Sequence, residues 1–259
     1  METELTARHT GNAGILINIG SKAALEPALG IDVFCRDHKG LYMDTPEAER
    51  EFLLEQIREG RLKLLVFTHE HGDHFCLEDV LEALKRNPGL HIVSTRAVLQ
   101  AVRERTAAGI LTEIPPEETG MVRMKLPEEM GAELTLFNSP HMGEQFAGVQ
   151  NLVCLLEAAG KRLLIPGDAG PDAELFARAA SWSPVFDWLI GPFPLLGLPS
   201  SRKKLAAALT VRRALALHLP RPEKDAHGWR ASAVRVCGWA ADGLPTPLFG
   251  DVPGKTYRL

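Results

Sequence analysis

The sequence predicts an α/β protein with two mixed β-sheets and helices on their outer faces. Two observations lead there. The first part and the middle of the chain are rich in short apolar runs bounded by turn residues. The last third alternates helix-like and strand-like stretches. No Pro-, Gly- and Ser-rich linker interrupts the 259 residues, so one domain spanning 1–259 is expected.

Ala13–Ile19 and Leu29–Phe34 read as the opening strands. A helix follows from Pro46 to Arg58. Pro46 suits a first turn, Glu47, Glu49 and Glu51 suit the positive helix N-terminus, and Gly60 is a stop. Leu62–Phe67 is continuously apolar but too short for a helix, which marks a buried strand. Helix, strand and helix then follow at Leu77–Arg86, His91–Ser94 and Thr95–Arg105. Met121–Leu126, Glu133–Phe137, Leu152–Glu157 and Arg162–Ile165 form the strand-rich middle, with a hairpin turn at Ala158-Ala159-Gly160-Lys161. Beyond it come a helix at Asp172–Ala180, a strand at Phe186–Ile190, a helix at Ser201–Ala208, a strand at Ala214–Leu217 and a helix at Trp229–Ala241.

Composition excludes several classes. With 45% hydrophobic residues and a net charge of only −4, the chain is not disordered. No apolar run approaches the roughly 18–20 residues that span a bilayer. The overall balance is not basic, so nucleic-acid coating is not expected. The start, Met1-Glu2-Thr3-Glu4, has neither a positive nor an apolar signal region. Cys35, Cys76, Cys154 and Cys237 are scattered and form no CxxC pair. Together these make the cytoplasm the expected location.

The chemistry sits directly after the buried strand, in Thr68-His69-Glu70-His71-Gly72-Asp73-His74. The pattern is His-x-His-x-Asp-His. For this composition a chance match anywhere in the chain has odds of about one in two thousand. His69 and His71 are two apart and would not share a helix face. On a loop leaving a strand, both can turn to one ion while Asp73 and His74 face a second. Imidazole with carboxylate suits zinc first, and manganese or iron as well. Gly72 is expected to supply unusual backbone angles to this tight loop. More ligands are needed for two ions. His141, Asp168 and His218 each stand where an apolar run gives way to a turn, in SPHMG, PGDAG and LALHLP. Strand ends of that kind converge on ligands in α/β architectures.

In order and spacing, THEHGDHF, SPHMG, PGDAG and LALHLP resemble the metallo-β-lactamase-fold hydrolases, from about Thr10 to Trp239. The resemblance implies an αββα four-layer sandwich with the metal site at one edge between the sheets. It implies one metal on His69, His71 and His141, a second on Asp73, His74 and His218, and Asp168 bridging both. The commonest zinc β-lactamases carry a cysteine where this chain has Asp168, so antibiotic hydrolysis is not expected. Gly11-Asn12-Ala13-Gly14 before one strand and Gly30-Ile31-Asp32 at the end of another resemble the L-ascorbate-6-phosphate lactonase subgroup. Val33 replaces the proline that often follows Asp32 there. Asp32 is a candidate to hold a ligand histidine in place.

The expected function is hydrolysis of a small ester, lactone or phosphodiester. Two ions about 3.5–4 Å apart would provide a bridging hydroxide at neutral pH, oriented by Asp73. The alternative is an RNA- or DNA-processing nuclease or phosphodiesterase on the same site. Nine basic residues between Arg202 and Arg235, against Glu223 and Asp225 alone, surround His218 and suggest a basic rim for an anionic small molecule. His227 is a candidate general acid beside that rim, and Trp229 borders it. A nucleic-acid partner and a membrane are not expected; a homo-oligomer stays open.

Overall fold

The computed structural model describes residues 3–239 and 243–259. The first half of the chain builds one seven-stranded sheet. Its elements run β1 (Glu4–Gly11), β2 (Gly14–Ser21), β3 (Ala24–Ile31), α1 (Glu47–Arg58), β4 (Leu64–Phe67), α2 (Leu77–Arg86), β5 (His91–Thr95), α3 (Arg96–Arg103) and β6 (Ile110–Ile114). The second half builds the other sheet from β7 (Val122–Lys125), β8 (Ala132–Pro140), β9 (Gln150–Ala158), β10 (Lys161–Ile165), α4 (Ala173–Trp182), β11 (Val185–Pro192), α5 (Phe193–Gly197), α6 (Pro199–Ala208), β12 (Thr210–Leu217), α7 (Trp229–Trp239) and β13 (Leu248–Phe249). The chain then returns to the first sheet as β14 (Thr256–Arg258), which pairs with β1.

Alternation along the strands creates the layers. Ile15, Ile17 and Ile19 of β2 face the other sheet, while Leu16 faces the helices. In β9, Leu152, Cys154 and Leu156 point inward and Val153 and Leu155 outward. The space between the sheets is filled by these residues with Leu29, Ile31, Val66, Leu134, Leu136, Leu163 and Ile190. On one outer face, α1, α2 and α3 bury Leu53, Leu54, Ile57, Val80, Leu84 and Leu99 against Leu16, Leu65, Phe67 and Ile92. On the other, α4, α5 and α6 bury Leu175, Phe176, Leu195, Leu196 and Leu205 against Phe137, Val153 and Leu164. The result is the αββα sandwich, two mixed sheets flanked by helices.

Caps explain where the helices begin. Thr95 accepts a hydrogen bond from the Val98 amide at the start of α3, and Asp172 accepts one from the Leu175 amide at the start of α4. The hairpin between β9 and β10 forms at the expected turn, with Ala159 and Gly160 both at positive φ.

Several boundaries differ from expectation. The strand expected over Leu29–Phe34 stops at Ile31, because Asp32 adopts φ +50° and turns the chain. Four strands carry too little apolar alternation to be seen in sequence: β1, β6, β13 and β14. β1 reads Glu-Leu-Thr-Ala-Arg-His-Thr-Gly and buries Thr6, His9 and Thr10 as well as Leu5 and Ala7. The final helix ends at Trp239, and the expected continuation to Ala241 lies outside the described residues. Among the described residues, no helix is long and apolar enough to cross a membrane.

Strand direction matters most for the site. β3, β4, β5 and β6 are mutually parallel, as are β10, β11, β12 and β13. β8 is antiparallel to β9, and β9 to β10, so β8 runs with β10. The C-terminal ends of β3, β4, β8, β10 and β12 therefore gather at one end of the sandwich. These ends carry Asp32, Thr68 to His74, His141, Asp168 and His218.

Candidate metal centre

All seven expected ligands converge there. Three overlapping groups have ligand atoms within 4.8 Å of one another: His69, His71 and His141; His69, His74 and Asp168; Asp73, His74 and His218. The separations are short. His69 Nε2 lies 3.1 Å from His71 Nδ1. His218 Nε2 lies 2.9 Å from Asp73 Oδ2 and 3.3 Å from Asp168 Oδ2. Asp168 also approaches His74 Nε2 at 3.4 Å and His141 Nε2 at 3.6 Å.

One chain of hydrogen bonds fixes the tautomers. Asp32 accepts from the Thr68 amide and from the Thr68 hydroxyl, both at 2.7 Å. Having donated its proton, Thr68 Oγ1 can only accept from His69 Nδ1, 3.0 Å away. That leaves the His69 Nε2 lone pair facing the centre. Asp32 also accepts from His74 Nδ1 at 2.8 Å, which turns His74 Nε2 towards Asp168. His141 donates from Nδ1 to the Met142 carbonyl at 2.7 Å and presents Nε2. Asp32 thus fixes the orientation of His74, one of the expected ligands.

The electrostatics separate two kinds of histidine. Burial, with the positive field of neighbouring histidines, holds His69 well below the ordinary histidine value and lowers His71. Both are neutral and have lone pairs to give. Burial also opposes charge on His74 and His218, but carboxylates outweigh it. Asp168 and Asp32 raise His74 to about 10, and Asp168 and Asp73 raise His218 well above its usual value. In turn, burial opposes ionisation of Asp73 and Asp168, and the histidines prevail, holding Asp73 at about 2 and Asp168 well below the carboxylate range. The centre therefore gathers anionic carboxylates and inward-facing ring nitrogens around one point.

The donor set fits divalent cations. His74 Nε2, His141 Nε2 and Asp168 Oδ1 are buried without an aligned hydrogen-bond partner. Leaving such groups unmet costs free energy, and a cation meets them all at once. Five imidazoles and two carboxylates are a zinc, manganese or iron set.

Backbone strain collects at the same place. Asn12, Asp32 and His218 have φ of +24°, +50° and +60°. Each costs about 1–3 kcal/mol and is held by its surroundings. Gly72 does not act as expected, since its φ is not positive. It is required by close packing: a Cβ there would lie 2.7 Å from the Arg36 carbonyl oxygen, and the Gly72 carbonyl accepts from the Arg36 amide at 2.6 Å.

The centre opens into a cleft of about 390 Å³. Asp37, His38, Lys39, Leu41, Tyr42 and Phe146 wall it beside the ligands. Tyr42 packs edge-on against His218 at 4.1 Å, and Phe146 lies 4.9 Å from the rings of both His71 and His141. The 37–44 loop folds on itself: Asp37 accepts from the amides of Lys39 and Tyr42. Arg221 straps it down, donating to the Tyr42 carbonyl at 2.6 Å and pairing with Asp44 at 3.2 Å. Tyr42, Phe146 and Lys39 belong to no sequence pattern and were not foreseeable from one.

The basic rim does not form. Arg202 is buried beside the Leu196 carbonyl. Arg212 pairs with Asp187 and Arg213 lies over Trp188, both on β11 far from its C-terminal end. Arg230 donates to the Pro220 carbonyl and pairs with Asp251. None of the nine lines the cleft. His227 is also outside it. It is exposed and stacks on Trp229 at 5.1 Å, within the turn that Asp225 closes by accepting from the Trp229 and Arg230 amides.

No protein-family model matches the chain, and no curated protein does. Solved structures match it along its whole length. YhfI from Bacillus subtilis, a metallo-β-lactamase fold protein, is 13% identical with a TM-score of 0.62, and all of both chains is covered. Igni18, a metallo hydrolase from Ignicoccus hospitalis, is 16% identical with a TM-score of 0.56, covering 99% of this chain and 98% of that one. The short form of human tRNase Z is 10% identical with a TM-score of 0.56, covering 97% and 98%. From its layers, its strand order and these likenesses, the chain has the metallo-β-lactamase fold.

Proposed function

We propose that the chain is a dinuclear metal hydrolase acting on a small anionic ester, lactone or phosphodiester. One observation carries this reading: two ligand groups stand side by side, with Asp168 reaching into both through His74, His141 and His218. His69, His71 and His141 would hold one ion, and Asp73, His74 and His218 the other. Zinc is the first candidate, because the set is rich in imidazole. A bound pair supplies Lewis acidity, activating water and polarising a substrate oxygen.

The chain's own residues do the rest. Leu41, Tyr42 and Phe146 shield the reacting group from bulk water. The Tyr42 hydroxyl has no protein partner among the described residues and can donate to an oxygen of the substrate; burial raises its pKa, so it keeps its proton. Tyr42 takes the acid role first expected of His227. Lys39, the one lysine or arginine among the cleft residues, suits a single anionic group. An RNA-processing reading draws on the likeness to tRNase Z, but one lysine offers no track for a phosphate backbone.

Elemental analysis of the purified protein should find two divalent ions per chain. The loaded protein should hydrolyse a simple lactone or bis(p-nitrophenyl) phosphate. Asp168→Ala should lose metal and turnover together. Unchanged metal content and turnover in that variant would overturn the reading, and salt-sensitive RNA binding would favour the nuclease.

A further inference from the structure

The seven ligands come from both sheets, so something must hold the two sets in register. Asn12 is placed to do so. It sits in the turn between β1 and β2, is 3% exposed and is not itself a ligand. Its Nδ2 donates to the Asp73 carbonyl at 2.8 Å and lies 3.4 Å from Asp73 Oδ2. Its own carbonyl accepts from the His218 amide at 3.3 Å. Asp73 belongs to the loop after β4 in the first sheet, and His218 to the end of β12 in the second. One residue therefore grips both, where His218 Nε2 meets Asp73 Oδ2 at 2.9 Å.

Two further features bind Asn12 to this task. His9, also buried, reaches the Asn12 carbonyl with Nε2 at 3.1 Å, so that oxygen is held from behind as well. The side-chain amide cannot be reversed, because an amide oxygen would then face the Asp73 carbonyl oxygen. The backbone at φ +24° keeps this geometry against its intrinsic preference. No comparable link joins Asn12 to His69, His71 or His141.

We propose that Asn12 is a positioning residue for the Asp73–His74–His218 half of the centre alone, and that this half takes up its ion through the alignment Asn12 imposes. The proposal rests on the two-ion reading above. The working variant is Asn12→Gly, which tolerates positive φ and so deletes the amide without straining the turn. Zinc titration against a chelating indicator reads both equivalents. One of the two should weaken about tenfold or more, in the range seen when an outer partner of a ligand is lost, while the other stays as in the unsubstituted chain.

Two unchanged equivalents would overturn the role. Equal weakening of both would show a general structural support and overturn it too. An unsubstituted chain that binds fewer than two ions would instead defeat the two-ion reading, and that shows before any variant is made. Should Asn12→Gly fail to fold, Asn12→Asp keeps the shape and replaces the donor with an acceptor facing Asp73. It should show the same one-sided loss, and wild-type binding of both ions would overturn the proposal.

Discussion

At Thr68 a single hydroxyl decides which way His69 faces. It donates to Asp32, so it accepts from His69, while Asp32 itself accepts a second hydrogen bond from His74 Nδ1. Asp32→Ala should therefore lower zinc affinity by about 10–100-fold without abolishing the fold, as measured by titration in a metal buffer. The metal-free chain should also show a pH window of stability. His74, raised to about 10 from 6.5, contributes fully below 6.5, and that contribution is lost as pH climbs towards 10. Asp73, held at about 2 rather than 3.8, contributes above 3.8 and loses it as pH falls towards 2. His69 and His71, kept neutral by burial, cost stability as pH falls below 6.5, so urea midpoints in the presence of a chelator should peak near 6.5. A midpoint still rising above 7 would contradict this assignment. The candidate ligands were legible because four of them lie within six residues. Asn12 and Tyr42 were not, since their partners stand 61 and 179 positions away.

Among the elements, the loops after the strands are more constrained than the strands. Gly167, between β10 and Asp168, has φ +56°. A Cβ there would fall 2.5 Å from Asn151 Oδ1 and 2.9 Å from Thr68 Cβ, joining strain to a clash. Asn151 Oδ1 also accepts from the Asp168 amide at 3.0 Å, so the clash reaches Asp168. Gly167→Ala should cost more than about 1 kcal/mol in chemical unfolding and reduce bound metal. Wild-type stability with full metal would show that the loop relaxes. Strands such as β2 and β9 were visible in sequence because alternation on a buried surface writes itself as periodic apolar residues. β1 was hidden because its buried residues include Thr6, His9 and Thr10, which sequence patterns count as polar.

Across the whole molecule, the central layer between the sheets carries much of the cohesion. Leu136 is fully buried there, and Leu136→Ala should destabilise by about 2–5 kcal/mol, read from equilibrium denaturation. Two mixed sheets with outer helices were legible because strand-rich and alternating stretches follow each other in order; their αββα layering was implied by the resemblance that the histidine and aspartate motifs carry. The charge pattern misled at this scale. Nine basic residues adjacent in sequence are dispersed in space, because β12 carries Arg212 and Arg213 at the end opposite His218. Sequence proximity along a strand is no guide to proximity across a sandwich.

β14 has a bearing on how the protein is made. Thr256 to Arg258 pair with Arg8 to Thr6, and the Leu259 amide reaches the Leu5 carbonyl at 2.9 Å. During synthesis, β14 emerges after every strand it must join. The sheet bearing His69 to His74 therefore keeps a bare edge at β1 until β14 has been made. So distant a pairing closes slowly. In pulse-labelled refolding, the β1 amides that bond to β14 should be among the last to resist exchange, well after those of the β9–β10 hairpin.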